Sequence, residues 1–589
     1  MVPDLKQIQD SGLKGLLFLF LLMQINMAFS KERPNVVFIL TDDQGYGEIA
    51  AHGNKNIRTP NLDKLWEEGV RLTDFHVNSV CSPSRAAIVT GKYASRTGVW
   101  HTLGGRNIVN ASEKTIGDFF KNAGYPTQLI GKWHLGDNFP YRPEDRGFDE
   151  VFRIGGGSLG QTADYWENTL WDGNYWDGEK WIKTEGFCTD VQFDAALDFI
   201  QRNKGKPFFT FISTTAPHSP IGADEKYIQP YLDMGLSKEV STFYGMVTNI
   251  DENVGRLRKF LKDEGLEKNT ILIFATDNGS ACDKKGDSFN ANMRGKKGSN
   301  YDGGHRVPCF IYWPDGEING GISISKLTAH IDLLPTLLDA CDIENEFQVD
   351  FDGMSLLPFL QKSNKNWPER TLITESKVND RKSLYKSSAV LCDEWRLVQG
   401  KELFKIENDP SQKTDVAKEY QKVTQQLANE YQNWFAELEK GFAEIPRIPV
   451  RTNAICKLNG MDLFSDNSSK VLKTVWNQKG VKNGVMAKGF WALNVEQSGK
   501  YRISLYRWPS EINESLNKVL PKSKRLNIES GYIEIGEKKY FQKAEQGIAS
   551  IDFEISLEKG DLNLGAYFLN NKEKDFSAYY VDVEYLDVK

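Results

Sequence analysis

Apolar segments and amphipathic segments alternate along the first 360 residues of the chain. Four segments are short and rich in β-branched and aromatic residues, a pattern typical of strands buried on both faces. These are residues 34–41, 127–130, 207–213 and 270–276. Segments with apolar residues at helical spacing lie between or before them, at 61–69, 115–124 and 237–264. The alternation predicts an α/β domain over residues 31–365, with a large, mostly parallel sheet flanked by helices.

The pattern becomes that of a small α+β subdomain over residues 366–445. Short apolar runs predict three strands, at 371–375, 387–391 and 395–398. Residues 415–440 then carry apolar side chains at helical spacing, and the predicted helix is followed by a linker at 446–449.

From about residue 450 onward, apolar and polar residues alternate with a period of two. Residues 501–505, 551–557 and 581–585 show this alternation, and Gly, Asn and Lys separate the runs. A period of two indicates strands with one buried face. We therefore expect an all-β, sandwich-like accessory module over residues 450–589.

The first 30 residues have the pattern of an export signal. Lys6 and Lys14 precede the apolar run 15–23, and residues 28–30 fit a small-x-small cleavage site. The run is short for a bilayer span, which takes about 20 residues. We therefore expect a signal peptide over residues 1–30, a periplasmic or extracellular protein and no stable membrane insertion. A buried N-terminal helix is the alternative.

The formal net charge of −7 argues against nucleic acid as a partner, because phosphate binding needs a basic surface. A local basic pocket can still bind an anionic substrate.

The chain has seven cysteines, and an odd number in an exported protein indicates one thiol with a separate role. The other six form disulfides or stay as buried thiols, and the sequence leaves both open.

Two predicted strands end in candidate metal ligands. The first runs into Asp42 and Asp43, and the last runs into Asp277 and Asn278. In open α/β sheets the ligand site lies at the carboxyl ends of the strands, so these side chains should converge. Their oxygen atoms suit Ca²⁺, with Mg²⁺ as the alternative. Each pair taken alone could also be a turn or a cap.

Residues 81–85 place a cysteine at the start of a predicted helix. Ser82 is suited to be the N-cap and Pro83 the first helical residue. Cys81 would then lie beside a helix N-terminus, which favours anions, with Arg85 one turn further on. From these residues alone, Cys81 is either a reactive thiol of lowered pKa or a buried structural cysteine.

The segment 81–85 closely resembles the signature of the formylglycine-dependent type I sulfatases. Further motifs match that family in the same order, at residues 42–47, 90–93, 131–136, 216–218, 276–279 and 296–308. The resemblance covers about residues 33–445 and implies an alkaline-phosphatase-like fold. It also implies a bacterial polysaccharide sulfatase, a sulfuric ester hydrolase acting on a sulfated carbohydrate.

The resemblance assigns roles to particular residues. Cys81 would be converted to formylglycine (3-oxoalanine) by a formylglycine-generating enzyme or an anaerobic sulfatase-maturating enzyme. The implied metal ligands are Asp42, Asp43, Cys81, Asp277 and Asn278. The implied catalytic residues are Cys81, Arg85, Lys132, His134, His218 and Lys297. Lys297 matches the family lysine by its spacing to Gly298, whereas the role of Lys296 is open.

The implied mechanism uses the hydrate of formylglycine, a geminal diol. One of its hydroxyls attacks sulfur, and His218, helped by Lys297, protonates the leaving alcohol. His134 then removes a proton from the second hydroxyl, which expels sulfate and restores the aldehyde. An ordinary serine would stall as a stable sulfate ester.

Substrate contacts are predicted from aromatic and basic residues in nearby loops, because rings stack on sugars and guanidinium groups pair with carboxylates. The candidates are Trp100, His101, Arg106, Arg142 and His305. Loop scaffolding is the alternative, and the aromatic-rich stretch 166–181 is equally open. Rival functions are a formylglycine-dependent phosphodiesterase or phosphonate hydrolase, and an inactive, sulfatase-like carbohydrate-binding protein.

Overall fold

The computed structural model describes residues 32–282, 288–363, 366–376, 382–442, 444–465, 474–572 and 574–587. The predicted signal peptide lies outside these residues. Within them, no helix combines the length and the apolar character needed to cross a bilayer.

The α/β part of the chain is built on a large mixed sheet. The strands of this part are β1 (Asn35–Thr41), β2 (Val70–Leu72), β3 (Phe75–His76), β4 (Thr127–Gly131), β5 (Glu150–Arg153), β6 (Asn174–Trp176), β7 (Trp181–Lys183), β8 (Phe209–Ser213), β9 (Thr270–Thr276), β10 (Cys309–Tyr312), β11 (Ile322–Ile324) and β12 (Thr328–Ala329). A separate two-stranded sheet is formed by β3 and β12. The order in the large sheet is β11-β2-β10-β9-β1-β8-β4-β5-β6-β7.

The centre of this sheet is parallel and its flanks are partly antiparallel. Strands β9, β1, β8, β4 and β5 all run in one direction. Strand β10 pairs antiparallel with β9 and β2, and β6 pairs antiparallel with β5 and β7. The predicted parallel sheet is therefore confirmed at its core, within a larger mixed sheet.

Helices cover both faces of the sheet. They are α1 (Pro60–Glu68), α2 (Cys81–Thr90), α3 (Ile116–Asn122), α4 (Cys188–Asn203), α5 (Glu225–Asp233), α6 (Lys238–Asp263), α7 (Asp302–His305), α8 (Leu333–Ala340) and α9 (Leu357–Leu360). Ser237 caps α6, because its side chain accepts a hydrogen bond from the Val240 amide.

Strand β1 is apolar throughout because both of its faces are buried. Val36, Phe38 and Leu40 belong to one hydrophobic core, and Val37 and Ile39 belong to the core on the other face. Each of these side chains is fully buried. The alternate directions of side chains along a strand thus explain the uninterrupted apolar run.

The α+β unit consists of four antiparallel strands and one helix. The strands are β13 (Thr371–Glu375), β14 (Ser388–Cys392), β15 (Trp395–Val398) and β16 (Glu402–Lys405), and the helix is α10 (Gln421–Glu439). The predicted start of the helix at residue 415 is wrong. The Asp415 carboxylate accepts hydrogen bonds from the amides of Leu403 and Ala417, and residues 415–420 have no helical assignment.

The C-terminal part is a β-sandwich, as predicted. Its elements are β17 (Ile448–Val450), β18 (Cys456–Asn459), β19 (Phe464–Ser465), α11 (Gln478–Asn483), β20 (Gly489–Val495), β21 (Gly499–Tyr506), β22 (Ile528–Ile535), β23 (Lys538–Lys543), β24 (Ser550–Leu557), β25 (Gly560–Asn570), β26 (Asp575–Ser577) and β27 (Tyr580–Tyr585). One sheet contains β18-β27-β21-β24, and the other is centred on β20, β25 and β22. Buried Ile503 and Trp491 belong to the core between them.

Two local predictions need correction. Helix α2 begins at Cys81 with Val80 as its N-cap, so Ser82 is not the cap and Pro83 is the third helical residue. A proline is tolerated there because the first-turn amides have no intrahelical acceptor. The predicted linker also contains strand β17, whose Pro449 lies at the edge of its sheet.

All seven cysteines are free thiols, and all except Cys392 are buried. The disulfide alternative is therefore not what the structure shows. The cores of the chain are large enough to stabilise it without covalent crosslinks.

Replacing Phe38 with alanine tests the central core. Phe38 is fully buried and its ring centroid lies 4.9 Å from that of Phe211 in the neighbouring strand. We expect the Phe38→Ala change to lower the free energy of unfolding by about 3–5 kcal/mol, measured by urea denaturation. Phe541→Ala is the matched control, because Phe541 is 65% exposed. Equal urea midpoints for Phe38→Ala and Phe541→Ala would contradict the placement of Phe38 in the central core.

Candidate active site

The polar ends of four parallel strands meet at one edge of the central sheet. Asp42 and Asp43 follow β1, Lys132 and His134 follow β4, and Asp277 and Asn278 follow β9. His218 lies five residues after the end of β8. Because these strands are parallel and adjacent, their carboxyl ends bring the side chains together.

Three carboxylates and one carboxamide form the centre of this cluster. Asp42, Asp43, Asp277 and Asn278 are all buried. The Asp43 amide donates to Asp277 Oδ1 over 3.1 Å, and Asn278 Nδ2 donates to Asp43 Oδ1 over 2.8 Å. Ligand atoms of Asp42, Asp43, Cys81 and His218 all lie within 4.8 Å of one another.

Cys81 reaches the cluster from the first turn of α2. It is the first residue of that helix, so its side chain lies beside the positive end of the helix dipole. Burial nevertheless dominates and raises the pKa of the unmodified thiol to about 11. The reactive low-pKa thiol considered from the sequence is therefore not what the structure holds.

Three cations surround the carboxylates. The Arg85 guanidinium lies 2.8 Å from Asp277 Oδ2 and donates to Ser213 Oγ, and Lys132 Nζ donates to Asp42 Oδ2 over 2.8 Å. Lys297 Nζ lies 2.5 Å from Asp43 Oδ1 and 3.5 Å from Cys81 Sγ. All three cations are thus held against the oxygen cluster.

Lys297 and Lys296 point to different surroundings. Burial is the largest single influence and would lower the pKa of Lys297, but Asp43 and the neighbouring Cys81, Asp42 and Asp277 together outweigh it and raise that pKa above its ordinary value. Lys296 instead donates to the Cys282 carbonyl and to Ser288 Oγ. Of the two adjacent lysines, the structure places Lys297 against Cys81.

The two histidines have defined tautomers. His134 Nε2 lies 3.0 Å from the Thr102 carbonyl and donates to it, which leaves the buried Nδ1 as a hydrogen-bond acceptor without a partner. His218 Nδ1 donates to the Ser219 carbonyl over 2.6 Å, so Nε2 faces Asp43 Oδ2 at 3.6 Å. Burial lowers the pKa of His218 to about 4 and that of His134 well below its ordinary value.

The backbone is held in an unfavourable conformation at two of these residues. Asp43 and His134 have φ angles of 70° and 65°, in the left-handed region that side chains disfavour. The Gly157 backbone also lies against the His134 ring, where an added Cβ would come within 2.2 Å of Cε1. The structure therefore keeps His134 in place from both sides.

The donor set fits a divalent metal ion. Asp42 Oδ1 and Asn278 Oδ1 are buried and have no hydrogen-bond donor. Burial raises the pKa of Asp42 to about 8 despite the nearby Lys132, so a further cation would be needed to keep it charged. Oxygen atoms from carboxylates and amides are the ligands that Ca²⁺ and Mg²⁺ prefer.

The predicted substrate contacts lie at three different places. Trp100, His101 and Arg106 are buried in a loop whose Thr102 carbonyl contacts His134, and the Arg106 guanidinium lies 4.7 Å from the Trp100 ring centroid. That loop therefore reaches the cluster through its backbone.

Arg142 and His305 are not brought to this polar cluster. Arg142 pairs with Asp145 over 2.7 Å and lines a separate cavity. His305 has no exposed surface, and its Nδ1 lies 2.9 Å from that of His76. Sequence reasoning also missed Ser213, which holds Arg85, because a serine at a strand end carries no distinguishing pattern.

The sheet and the polar cluster at its carboxyl edge define a sulfatase/alkaline-phosphatase-like fold. A family model described as Sulfatase matches residues 34–343, and one described as N-sulphoglucosamine sulphohydrolase, C-terminal, matches residues 296–437. The first match spans more than half of the chain, so the chain belongs to the sulfatase family. That family generally uses a formylglycine and a divalent metal.

Named sulfatases are among the relatives. The chain is 31% identical to the N-acetylgalactosamine-6-sulfatase of Sus scrofa over 350 residues, which cover 55% of this chain and 65% of the pig protein, just under two thirds of it. It is 30% identical over 410 residues to the uncharacterized sulfatase YdeN of Escherichia coli, covering 59% of this chain and 71% of that one.

Solved structures share the fold. The chain is similar to Ps i-CgsB in complex with k-i-k-neocarrahexaose, with a TM-score of 0.62, 27% identity, and coverage of 69% of this chain and 93% of that one. The PsFucS1 sulfatase from Pseudoalteromonas sp. has a TM-score of 0.60 at 23% identity, covering 75% of this chain and 96% of that one, and supports the fold alone.

Binding of a divalent metal ion at the polar cluster should be measurable as thermal stabilisation. A ligand at about 100 times its dissociation constant adds about 2.7 kcal/mol to the free energy of unfolding. We expect Ca²⁺ to raise the unfolding temperature of the EDTA-treated protein, and Asn278→Ala to reduce or abolish this rise by removing a buried oxygen. Asn571→Ala, at an exposed turn, should keep it. Equal calcium shifts in both variants would remove Asn278 from the metal site.

Proposed function

We propose that the protein is a sulfuric ester hydrolase that removes sulfate from a carbohydrate after Cys81 has been converted to formylglycine. One observation carries the proposal: Cys81, the first residue of α2, lies between a buried carboxylate cluster and Lys297. Membership in the sulfatase family supports the same chemistry.

The modification supplies a nucleophile that cysteine does not. As a hydrate, formylglycine offers two hydroxyls on one carbon, one to attack sulfur and one to expel sulfate afterwards. Burial raises the pKa of the unmodified Cys81 thiol to about 11. Very little of that thiol is therefore present as the reactive thiolate at neutral pH. We propose a formylglycine-generating or anaerobic sulfatase-maturating enzyme as the partner that converts it.

The cations bind the sulfate and stabilise the charge that develops on its oxygens. Lys297, Lys132 and Arg85 are oriented by the carboxylates before substrate arrives, so little reorganisation is needed. Asp42, Asp43, Asp277, Asn278 and residue 81 would hold the metal, which we propose is Ca²⁺ with Mg²⁺ as the alternative. When bound, it adds Lewis-acid stabilisation of negative charge.

His218 is the proposed proton donor to the leaving alcohol. Its Nδ1 is fixed by the Ser219 carbonyl, so the proton to be given is on Nε2, on the side of Asp43. Burial lowers the pKa of His218 in the free protein, but a bound sulfate anion would raise it towards the working pH.

His134 is the proposed base for the second half of the reaction. Its Nε2 hydrogen is used by the Thr102 carbonyl, so Nδ1 holds the free lone pair. Because burial and the nearby Lys132 and Arg85 lower its pKa, the ring stays neutral and able to accept a proton. The proton it takes is that of the second hydroxyl of residue 81.

We propose a sulfated carbohydrate as the substrate, in the form of oligosaccharides from a sulfated polysaccharide. The pig relative is named for N-acetylgalactosamine 6-sulfate, and the i-CgsB structure holds a neocarrahexaose.

We also propose that the protein is exported to the periplasm or beyond. This proposal is based on residues 1–30, whose basic residues, apolar run and small residues follow the pattern of a signal peptide.

Cys81→Ala should abolish sulfate release. Removal of a nucleophile lowers turnover by at least roughly 1,000-fold, and ion chromatography of sulfate released from sulfated oligosaccharides measures it. Cys81→Ser should give at most one turnover, because a serine ester has no second hydroxyl. Mass spectrometry of the peptide bearing residue 81 reports the formylglycine.

The matched control is Cys392→Ala, because Cys392 is a partly exposed thiol at the end of β14. It should retain full activity. Undiminished sulfate release by Cys81→Ala would refute the proposed role of residue 81.

His218→Ala should discriminate between leaving groups. We expect a loss of roughly 100-fold to 10,000-fold in turnover of a sugar sulfate, whose alcohol needs a proton to leave. The loss for 4-nitrophenyl sulfate should be much smaller, since nitrophenolate leaves without one. His52→Ala is the control, because His52 is a partly exposed histidine whose ring stacks on that of Tyr46. Equal losses on both substrates would argue against His218 as the proton donor.

A further inference from the structure

A cavity of about 630 Å³ lies between the catalytic part and the β-sandwich. One wall comes from the β6–β7 hairpin at the end of the central sheet, and the other from β18 and β27 of the sandwich. This volume is typical of small-molecule sites, and junctions between domains are a preferred place for them.

The cavity is distinct from the catalytic cluster but adjoins it. None of the proposed catalytic residues lines it. Thr162 and Asp164 form part of its wall, and the same loop carries Gly157, which lies against His134. Asp137, also in the wall, accepts a hydrogen bond from the Gly156 amide over 3.0 Å. One loop therefore separates the cavity from the proposed base.

Aromatic rings line the catalytic side of the cavity. Trp176 and Trp181 are paired across β6 and β7, with ring centroids 5.8 Å apart. Tyr165, which is 41% exposed, lies 5.7 Å from Trp181. Partly exposed indole and phenol rings in a concave wall suit the apolar faces of sugar rings, which pack on aromatic surfaces.

The cavity also offers charged groups of both signs. Asp582 and Glu179 are acceptors for sugar hydroxyls. Arg451 lies 4.0 Å above the Phe139 ring, and among the described residues neither it nor Lys180 forms an ion pair with a carboxylate. Arg142 and Arg153, by contrast, are paired with acidic neighbours. Lys180 nevertheless lies close enough to Asp177 for its charge to help lower the pKa of that carboxyl, so Arg451 is the cation that remains available to an anionic ligand.

We propose that this cavity is a second carbohydrate-binding site, which takes an anionic, sulfated segment of an oligosaccharide outside the catalytic cluster. The sulfated class of ligand rests on the proposed function. Rings from the catalytic part stack on sugar units, and Arg451 from the sandwich side binds a sulfate group. The sandwich is thereby part of the binding site, and the cavity gives a role to Trp166, Trp176 and Trp181 of the aromatic stretch 166–181.

Affinity gel electrophoresis tests the site without turnover. The parent protein carries Cys81→Ala, and the gels contain ι-carrageenan, fucoidan, chondroitin sulfate or heparin, with agarose as the neutral reference. We expect the parent to be retarded by at least one sulfated polysaccharide. Adding Trp176→Ala with Trp181→Ala, or Arg451→Ala alone, should weaken the dissociation constant in that gel by about tenfold.

The control is Trp171→Ala, because Trp171 lies in the same stretch and is 38% exposed but does not line the cavity. Its retardation should equal that of the parent, and circular dichroism checks that all variants are folded. The Arg451 variant decides the outcome if the double variant does not fold.

Three outcomes would overturn the inference: no retardation of the parent in any sulfated gel, unchanged retardation of the cavity variants, or an equal loss in Trp171→Ala. Sulfate release by the unaltered protein is measured separately. Release without cavity-dependent retardation defeats this inference and leaves the proposed function standing. Cavity-dependent retardation without sulfate release supports the second binding site and contradicts the proposed sulfatase activity.

Discussion

The structure depends on a balance of buried charges at the carboxyl edge of the central sheet. Asp42, Asp43 and Asp277 lie beside Arg85 and Lys132, all buried, with Lys297 at the rim. Removing such charges from water costs several kcal/mol each, and only close pairing offsets that cost. Breaking one pair would leave an uncompensated charge in the interior. The parallel strands are the scaffold that holds the ions at these distances.

The same balance gives the cluster its chemistry. Its cations are already oriented, and two of its oxygens, Asp42 Oδ1 and Asn278 Oδ1, have no donor. An incoming anion therefore meets fixed positive groups, and a metal ion meets unused ligands. His134 contacts two loops, one through Thr102 and the other through Gly157. The β-sandwich braces both loops, since the Gly105 amide donates to the Met461 carbonyl and Thr162 Oγ1 donates to Asn459 Oδ1.

The sequence predicts the sheet and the cluster well, for physical reasons. A run such as that of β1 can be buried only when both faces are covered, and Asp42 and Asp277 at the ends of such runs must meet at one edge. Loop side chains are harder, because their direction depends on tertiary neighbours. Arg142 therefore lines a separate cavity, and His305, at the end of the short helix α7, packs against His76. The Asp415 carboxylate accepts hydrogen bonds from backbone amides in a segment where the sequence predicts the first turn of a helix. A period of two predicts a sandwich but cannot predict which loops it contacts.

A crystal structure of sulfate-releasing protein, grown with calcium, tests the central claim most directly. The account predicts a cation in contact with Asp42 Oδ1 and Asn278 Oδ1, and a residue 81 whose β-carbon carries oxygen in place of sulfur. An intact Cys81 thiol in fully active protein, or a cation bound away from these oxygens, would contradict it.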